Sequence, residues 1–255
     1  MVSTKVIAIS NHKGGVGKTT STVNIGAGLS INNIGNKSKQ VLLIDLDPQS
    51  NLTQSLGVTP EATIYGALHG EYPLTPIEIT SKLHLIASTL DLSGAEIELS
   101  GEAGREFLLR DLIEPLKKRY DYILIDCPPS LGLLTLNALT ASDEVYIPLQ
   151  TQYLALQGLT KLVEIVDKVK KRLNKKLIVG GVILTQFNSR KVLDRDVAGS
   201  VHEHFKDKVF KTKIRNNVSL AEAPSVGKDI FRYSPKSVGA EDYAALCLEI
   251  INRTN

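Results

Sequence analysis

The chain has 255 residues, of which 42% are hydrophobic and 22% charged, a composition that suits one α/β domain and gives no sign of a second core. Its apolar runs are all shorter than the ~20 residues that a membrane-spanning helix needs, and residues 1–5 lack the apolar stretch of a signal peptide. The formal net charge of +3 hides an asymmetry, because residues 168–232 hold sixteen Lys or Arg against six Asp or Glu, a net charge of +10.

This basic segment, residues 168–232, has two interpretations. Clustered positive charge in one part of a chain is typical of a surface that binds a polyanion. The alternative is a set of solvated helix faces, and the run Lys-Val-Lys-Lys-Arg at 168–172 has a local reason for its charge if a helix ends there. Composition alone leaves both interpretations open.

Cysteine usage indicates a reducing compartment. Cys127 and Cys247 are far apart in the sequence and lie in apolar surroundings, so we expect buried thiols rather than a disulfide. Because the sequence also shows neither a membrane-spanning apolar run nor the apolar stretch of a signal peptide, we expect a cytoplasmic protein without stable membrane association.

The first predicted elements are a strand over residues 5–11, a glycine-rich loop, and a helix from Thr20 to about Leu29. A loop between a strand and a helix is the context in which glycines bring backbone N–H groups onto phosphate oxygens, at the positive end of the helix dipole. In that arrangement Lys18 reaches the outer phosphates and the hydroxyl of Thr19 holds Mg²⁺. The loop consists of Lys13, Gly14, Gly15, Val16, Gly17, Lys18, Thr19 and Thr20.

The loop departs from the usual pattern at its start. Glycine, four residues, glycine, lysine and then serine or threonine is the common spacing, and here His12 stands where the first glycine is expected. A second lysine, Lys13, opens the loop instead. The alternative to a phosphate site is a glycine-rich turn with two solvated lysines.

The second predicted strand, Val41 to Ile44, ends in two carboxylates. A strand of continuous aliphatic residues is typical of the interior of a parallel sheet, and ligands bind at the carboxyl ends of such strands. We therefore expect Asp45 and Asp47 to face the same crevice as the glycine loop. Pro48 ends the strand, and Ser50 or Asn51 is positioned to cap a short helix.

Residues 59–105 are predicted to be surface elaboration, with a short helix at 64–68 and a strand at 83–87. Apolar spacing predicts one helix from 105 to 119 with a kink at Pro115. The next strand, Tyr122 to Ile125, ends in Asp126, the form of an element whose carboxylate holds Mg²⁺ beside a phosphate loop. A helix cap is the alternative role for Asp126.

The remaining elements alternate between strand and helix. They are a strand at 144–149, a helix at 154–173, strands at 177–185 and 209–214 separated by a helix at 192–205, and a last helix at 239–253. This alternation predicts a mostly parallel, doubly wound sheet covered by helices on both faces.

Four blocks resemble the ParA/MinD family of ATPases, whose phosphate loop is a variant that opens with lysine. The blocks are the loop with Lys13, Asp-Leu-Asp-Pro-Gln at 45–49, Ile-Asp-Cys-Pro-Pro-Ser at 125–130, and Ser-Leu-Ala-Glu-Ala-Pro-Ser at 219–225, in family order over nearly the whole chain. The resemblance implies a single P-loop ATPase domain over residues 1–255 that uses ATP and Mg²⁺.

The resemblance also assigns roles to residues. Lys13 matches a lysine that reaches across a dimer interface to the partner's nucleotide, and Asp47 matches the residue that orients or activates the attacking water. Asp45 lies close to the metal in this family, which gives Thr19, Asp45 and Asp126 as metal residues. Lys13, Lys18 and Asp47 are thus the predicted catalytic residues.

The family binds adenine just before the last block, where its frequent pattern is Ile-Pro-Arg-Asn-Val and this chain has Ile-Arg-Asn-Asn-Val at 214–218. Asn217 matches the residue that bonds the base edge, Arg215 replaces a proline that acts through its backbone, and Asn188 is expected near the base. Asn216 replaces an arginine that relatives use for DNA. The DNA contacts are therefore predicted at Arg190, Lys211, Lys213 and Arg215.

The resemblance implies a switch in plasmid or chromosome partition: a homodimer forms with ATP, binds DNA non-specifically on the nucleoid, and hydrolyses ATP slowly until a ParB-like or ribbon-helix-helix centromere-binding protein stimulates it. The alternative is a MinD-like or cargo-positioning ATPase that cycles on a membrane or another surface. MinD-type proteins end in a basic amphipathic helix, whereas residues 246–255 have the pattern of a core helix. A metabolic enzyme on the same loop would need a substrate pocket that the sequence does not indicate.

Overall fold

The computed structural model describes residues 4–32, 34–35, 37–152 and 155–254, and their strands form one seven-stranded sheet. The strand order across the sheet is β3-β4-β2-β5-β1-β6-β7, with every neighbouring pair parallel except the antiparallel edge pair β3 and β4. The strands are β1 (Lys5–Ile9), β2 (Val41–Asp45), β3 (Ile77–Thr80), β4 (Leu83–Ile86), β5 (Tyr122–Asp126), β6 (Glu144–Gln150) and β7 (Ile178–Thr185).

Helices cover both faces of the sheet. They are α1 (Lys18–Ser30), α2 (Asn51–Ser55), α3 (Ile64–Leu68), α4 (Ala95–Glu98), α5 (Leu108–Ile113), α6 (Leu133–Ala141), α7 (Ala155–Arg172), α8 (Val192–Phe205), α9 (Val218–Glu222), α10 (Ile230–Tyr233) and α11 (Val238–Thr254). None of these helices, within the described ranges, is long and apolar enough to cross a membrane.

Alternation along the central strands divides the core into two layers. Val6 and Ala8 of β1 pack with α5, α6, α7 and α8 on one face, whereas Ile7 and Ile9 pack with α1, α10 and α11 on the other. Successive side chains of a strand point to opposite faces, so a continuously aliphatic strand fills both layers at once. The predicted doubly wound α/β fold is confirmed.

Strand register brings the predicted carboxylates to one edge of the sheet. Asp126 at the end of β5 lies opposite Ile9 of β1 on one side and opposite Asp45 of β2 on the other. The loops that follow β1, β2 and β5 therefore leave the sheet at the same level. This register is what places the glycine loop beside the two aspartates.

Residues 59–105 contribute to the core, so the prediction of surface elaboration is wrong for much of this segment. Strand β4 pairs with β2 inside the sheet, and Leu83 and Leu85 are buried against α1 and its neighbours. The strand predicted at 83–87 is present as β4, but its pairing partner β2 lies some forty residues earlier, so no local pattern in the sequence indicates that it lies inside the sheet.

The single helix predicted over 105–119 is three pieces. Helix α5 is flanked by 3₁₀ turns at 105–107 and 114–119, and Pro115 lies at the start of the second turn. Pro115 lacks the N–H that a continuous helix needs. At the other end, the side-chain amide of Asn137 accepts the N–H of Leu109 at 3.0 Å and donates to the carbonyl of Arg105 at 2.8 Å, which replaces intrahelical bonds.

The predicted strand at 209–214 is an extended segment with isolated bridges to the sheet. Phe210 and Ile214 donate their N–H groups to the carbonyls of Val182 and Leu184, but the N–H groups between them, of Lys211 and Thr212, bind a carboxylate of α11. The ladder to β7 is therefore interrupted.

Other predictions differ from the structure only at element ends or by omission. Residue 154, the predicted start of the long helix, lies outside the described residues, and α7 is described from Ala155. Helix α6 has no counterpart in the sequence prediction because it is buried around most of its circumference and lacks an amphipathic pattern. Cys127 and Cys247 are both buried free thiols, as expected.

Candidate nucleotide-binding site

The glycine loop between β1 and α1 is held in a fixed shape by the end of β7. Gly15 and Gly17 have φ angles of 72° and 88°, in the left-handed region that favours glycine. Thr185 donates its hydroxyl to the carbonyl of Val16 at 2.8 Å, and Gln186 donates its side-chain amide to the carbonyl of Gly15 at 2.8 Å. With these carbonyls engaged, the loop is pre-shaped to present N–H groups at the N-terminus of α1.

Lys18 lies over this loop rather than in solvent. It is 7% exposed, and its Nζ donates to the carbonyl of Lys13 at 3.1 Å. Burial lowers the pKa of Lys18, and the nearby Asp126 carboxyl opposes that effect. A buried ammonium that folds back onto the glycine loop is suited to contact the outer phosphates of a nucleotide.

Asp126 and Thr19 form the part of the site that can hold a divalent cation. The Thr19 hydroxyl donates to Asp126 Oδ2 at 2.7 Å, and the Thr22 hydroxyl donates to Oδ1 at 3.3 Å. Asp126 is fully buried, and burial together with the negative charge of Asp45 raises its pKa to about 8. The Thr19 hydroxyl and the Asp126 carboxyl supply the oxygen ligands that Mg²⁺ prefers. The buried carboxyl has too little positive charge around it, which a bound Mg²⁺ would supply.

Asp45 is held mainly by protein donors. Its Oδ2 accepts the N–H and the hydroxyl of Thr53 at 2.9 and 2.7 Å, and its Oδ1 accepts the N–H of Asp47 at 3.2 Å. Burial raises the pKa of Asp45 to about 6, against the opposing effect of these bonds. The carboxylate thus fixes the loop after β2, and its predicted closeness to a metal stays a prediction.

Asp47 lines a cavity of about 400 Å³ together with the glycine loop. Its Oδ1 accepts the N–H of Gln49 at 3.0 Å, and its carbonyl accepts the hydroxyl of Ser88 at 3.0 Å. Ser50, one of the two predicted caps, is the N-cap residue of α2, but it has a positive φ of 51° and its side chain accepts no hydrogen bond from the helix N–H groups. The cavity is lined by Gly14, Gly15, Gly17, Lys18, Thr19, Thr20, Asp47, Gln49, Asn51, Ser55, Pro129 and Gln186.

A second cavity of about 260 Å³ adjoins the first, with Gly17, Thr20 and Gln186 lining both. The Oδ1 atom of Asn217 is buried and, among the described residues, has no hydrogen-bond partner. A buried polar atom without a partner beside a phosphate loop fits a ligand that supplies one, such as a nucleotide base. The other lining residues are Thr185, Ile214, Arg215, Asn216, Leu220, Ala221 and Tyr243.

Asn188 is not among the residues that line this cavity, and its expected closeness to the base stays a prediction. Its side-chain Oδ1 accepts the N–H of Arg190 at 3.0 Å, and its own N–H donates to Asp194. Gln186, two residues earlier, lines both cavities instead. Sequence reasoning missed Gln186, although its place directly after a buried strand at the carboxyl edge of the sheet is a usable signal.

Lys13 is exposed, and its ammonium contacts the side-chain oxygen of Gln152, after β6. It does not line the cavity formed by its own loop, whereas its neighbour Gly14 does. The two lysines of the loop are therefore placed differently: Lys18 covers its own phosphate site, and Lys13 points its charge elsewhere.

The four candidate DNA-binding residues differ in how far their charges are engaged. Arg190 and Lys211 are exposed, and the Nζ of Lys213 lies 4.4 Å from the centre of the Phe187 ring. The guanidinium of Arg215 binds Asp242 at 2.6 Å, so its charge is largely neutralised. Arg215 is for this reason a weaker candidate for a phosphate contact than the sequence indicated.

The glycine loop, the Thr19 and Asp126 pair and the adjoining base-sized cavity define a P-loop ATPase that uses ATP and Mg²⁺. A family model described as an AAA domain matches residues 4–179. The chain is 34% identical, with a TM-score of 0.85, to the solved structure of cobyrinic acid a,c-diamide synthase from Mycobacterium smegmatis with bound ATP analog and magnesium, and the match covers 98% of this chain and 94% of that one.

Curated relatives narrow the class. The chain is 49% identical over 252 residues to the sporulation initiation inhibitor protein Soj of Bacillus subtilis, covering 96% of this chain and 98% of Soj. It is 46% identical over 256 residues to the chromosome partitioning protein ParA of Myxococcus xanthus, covering 98% and 88%. The chain belongs to the Soj/ParA family of ATPases.

Proposed function

We propose that the protein is an ATP-dependent dimerising switch in chromosome or plasmid partition. Two copies pair when each holds ATP, the pair binds DNA without reading its sequence, and a centromere-binding partner of the ParB or ribbon-helix-helix type stimulates hydrolysis. Its similarity to Soj and ParA over nearly the whole chain supports the process. The proposed dimer rests on one observation: Lys13 does not line the cavity of about 400 Å³ beside its own glycine loop, and its ammonium contacts Gln152 instead.

The chain's own residues divide the work of holding the nucleotide. The N–H groups of Gly14 to Thr20 and the ammonium of Lys18 bind the phosphates, while Thr19 and Asp126 hold Mg²⁺, whose charge offsets that of the phosphates when it is bound. Asn217 and the backbone at Arg215 bind the base in the adjoining cavity. The strand register, the hydrogen bond from Thr185 to the glycine loop and the lining of the second cavity support this division.

Hydrolysis requires a water molecule aligned with the outer phosphate. Asp47 orients that water and accepts its proton; its place in the lining of the cavity beside the glycine loop and the bond from the N–H of Gln49 to its carboxylate support this role. Lys13 of the partner copy supplies further positive charge. With one catalytic group outside the protomer, turnover is slow and the bound state has a defined lifetime.

Binding of DNA follows from the basic segment. Arg190, Lys211 and Lys213 lie on the surface of residues 187–213, where contacts to phosphates need charge but no base readout. This gives the protein its place on the nucleoid. A membrane-cycling role is not favoured, because Leu246, Cys247 and Ile250 of α11 are buried in the core rather than exposed as an amphipathic face.

Separate removal of the two loop lysines tests the proposal. Lys18→Ala should abolish ATP binding and dimerisation together, because its ammonium lies over the phosphate site. Lys13→Ala should still bind ATP but remain monomeric, because its own ammonium acts on the partner copy. Isothermal titration measures the binding, and sedimentation velocity with ATP and Mg²⁺ measures the dimer.

A dimer formed by Lys13→Ala as readily as by the wild-type protein would remove Lys13 from the interface. ADP in place of ATP is the control for both variants and should leave all three proteins monomeric.

A further inference from the structure

Three carboxylates of α11 contact the extended segment 209–217: Asp242 and Glu249, seven residues apart, accept its backbone N–H groups, and Glu241 accepts Nη2 of Arg215 at 3.4 Å. Glu249 accepts the N–H groups of Lys211 and Thr212 at 2.9 and 3.0 Å, and Asp242 accepts the N–H of Arg215 at 2.8 Å. Seven residues are two helical turns, so both carboxylates lie on the same face of α11. Of these two backbone attachments, the one at Asp242 holds a residue that lines the nucleotide site.

Asp242 binds one residue at four points. Besides the backbone N–H, it accepts Arg215 Nε at 3.0 and 3.1 Å and Nη2 at 2.6 Å, and Asp242 is only 7% exposed. Charge-assisted hydrogen bonds to a buried carboxylate are short and directional. The guanidinium of Arg215 is half exposed and gains little from the ion pair alone, so the main effect is to fix where the backbone of residue 215 lies.

The fixed backbone forms part of the second cavity, of about 260 Å³, which is called the base cavity from here on. Ile214, Arg215, Asn216 and Asn217 line it in succession, and the buried Oδ1 of Asn217 has no partner among the described residues. Hydrogen bonding of a base requires an amide to lie within a few tenths of an ångström of its proper place. The attachment at Arg215 is two residues from Asn217.

The same part of α11 also contributes a residue to the cavity lining. Tyr243 lines the base cavity, and its hydroxyl lies 3.1 Å from the hydroxyl of Ser21 on α1, the helix that begins at the glycine loop. Neighbouring residues of α11 thus connect the loop at 214–217 to the helix that follows the phosphate site. This part of α11 therefore contacts both the segment that lines the cavity and the helix that begins at the glycine loop.

We propose that Asp242 is a positioning residue for base recognition, which holds residues 214–217 where Asn217 can bond the base of ATP. The proposal rests on the proposed ATP binding. It assigns to Asp242 no contact with the nucleotide; the residue acts through Arg215. Glu249 has the same kind of backbone attachment to the same segment but lies outside the cavity lining, which makes it a matched control.

The test compares Asp242→Ala and Glu249→Ala for binding of three probes in the presence of Mg²⁺: ATP, GTP and inorganic tripolyphosphate. Asp242→Ala should weaken ATP about tenfold, bring the affinities for ATP and GTP closer together, and leave tripolyphosphate unchanged. Glu249→Ala should bind all three probes as the wild-type protein does. Thermal melting of both variants checks that they are folded.

The other possible results would overturn either the positioning role of Asp242 or the proposed function. Unchanged ATP affinity in Asp242→Ala, or an equal loss for tripolyphosphate, overturns the positioning role. An equal loss of ATP affinity in Glu249→Ala also overturns it, because the effect would then belong to the whole segment. Failure of the wild-type protein to bind ATP would refute the proposed function itself. Asp242→Asn, which keeps an acceptor for the Arg215 N–H, should lose less affinity than Asp242→Ala.

Discussion

Asp126 is the site residue whose burial most directly opposes the stability of the fold. It is fully buried next to Asp45, and burial with that neighbouring charge raises its pKa to about 8. A carboxyl in this position costs free energy when it loses its proton, and bound Mg²⁺ is the natural compensation. We therefore expect Mg²⁺ binding to offset the cost of ionising Asp126.

The raised pKa of Asp126 predicts a pH dependence of stability. The carboxyl of Asp126 ionises near pH 4 when unfolded and near pH 8 when folded, so the folded state binds the extra proton between these values and stability falls as pH rises. Asp45, with a pKa of about 6, contributes only to the lower part of that range. Between pH 6 and 8 the unfolding free energy of the nucleotide-free protein should decrease by up to about 1.4 kcal/mol per pH unit relative to Asp126→Asn.

Urea denaturation of both proteins at several pH values measures this difference. Taking the difference cancels the histidines, which are the same in the two proteins. Parallel profiles from pH 6 to 8 would mean that Asp126 keeps an ordinary pKa in the folded state. Asp126→Asn should in addition lose Mg²⁺-dependent ATP binding.

Among the secondary-structure elements, α2, β2 and β4 are connected through one residue, Thr53. On α2, its hydroxyl donates to Asp45 at the end of β2 and accepts the N–H of Ser88, after β4, at 3.0 Å. The hydroxyl of Ser88 in turn holds the carbonyl of Asp47. Two loops at the carboxyl edge of the sheet thus depend on one buried hydroxyl group.

Thr53→Val keeps the shape of the side chain but removes the hydroxyl bond to Asp45 and leaves the N–H of Ser88 without its partner. We expect a loss of about 1–3 kcal/mol in the free energy of unfolding and slower ATP hydrolysis, because Asp47 loses its support. Thr53→Ser keeps the hydroxyl and should restore both. Urea denaturation and phosphate release measure the two effects; a fully active Thr53→Val would show that Asp47 is held by other contacts.

The elements also show what the sequence could and could not predict. Asp45, Asp126 and the glycine loop follow buried aliphatic strands directly, so local order along the chain was enough to place them at one edge. Residues 209–214 look like a strand, but their pairing is decided by Glu249, some forty residues later. Contacts of this kind leave no local pattern.

The base cavity is the clearest case at the scale of the whole molecule. Its lining comes from the glycine loop, the end of β7, residues 214–221 and α11, which only the complete fold brings together. Gln186 and Tyr243 belong to no motif in the sequence, and Asn188, which was expected near the base, is not among the lining residues. Asn217 was predicted from a family resemblance and lines the cavity; its contact with the base stays a prediction.

The charge distribution of the whole molecule supports the DNA-binding proposal only in part. The basic segment has a net charge of +10, yet the guanidinium of Arg215 is paired with Asp242, and the cations at 168–172 end α7, where the helix dipole favours them. The surface residues Arg190, Lys211 and Lys213 remain for phosphate contacts. Binding by a few such contacts is weak in one copy and gains from pairing two copies on one DNA.

The central claim is that ATP controls DNA binding through the dimer. The most direct measurement is the affinity of Asp47→Ala, which should retain its ATP, for a random-sequence DNA duplex with ATP, ADP or no nucleotide at two salt concentrations. We predict tight binding only with ATP, as a complex that contains dimers, with an affinity that falls steeply as salt increases. Equal affinity in all three nucleotide states, or binding that does not respond to salt, would contradict the claim.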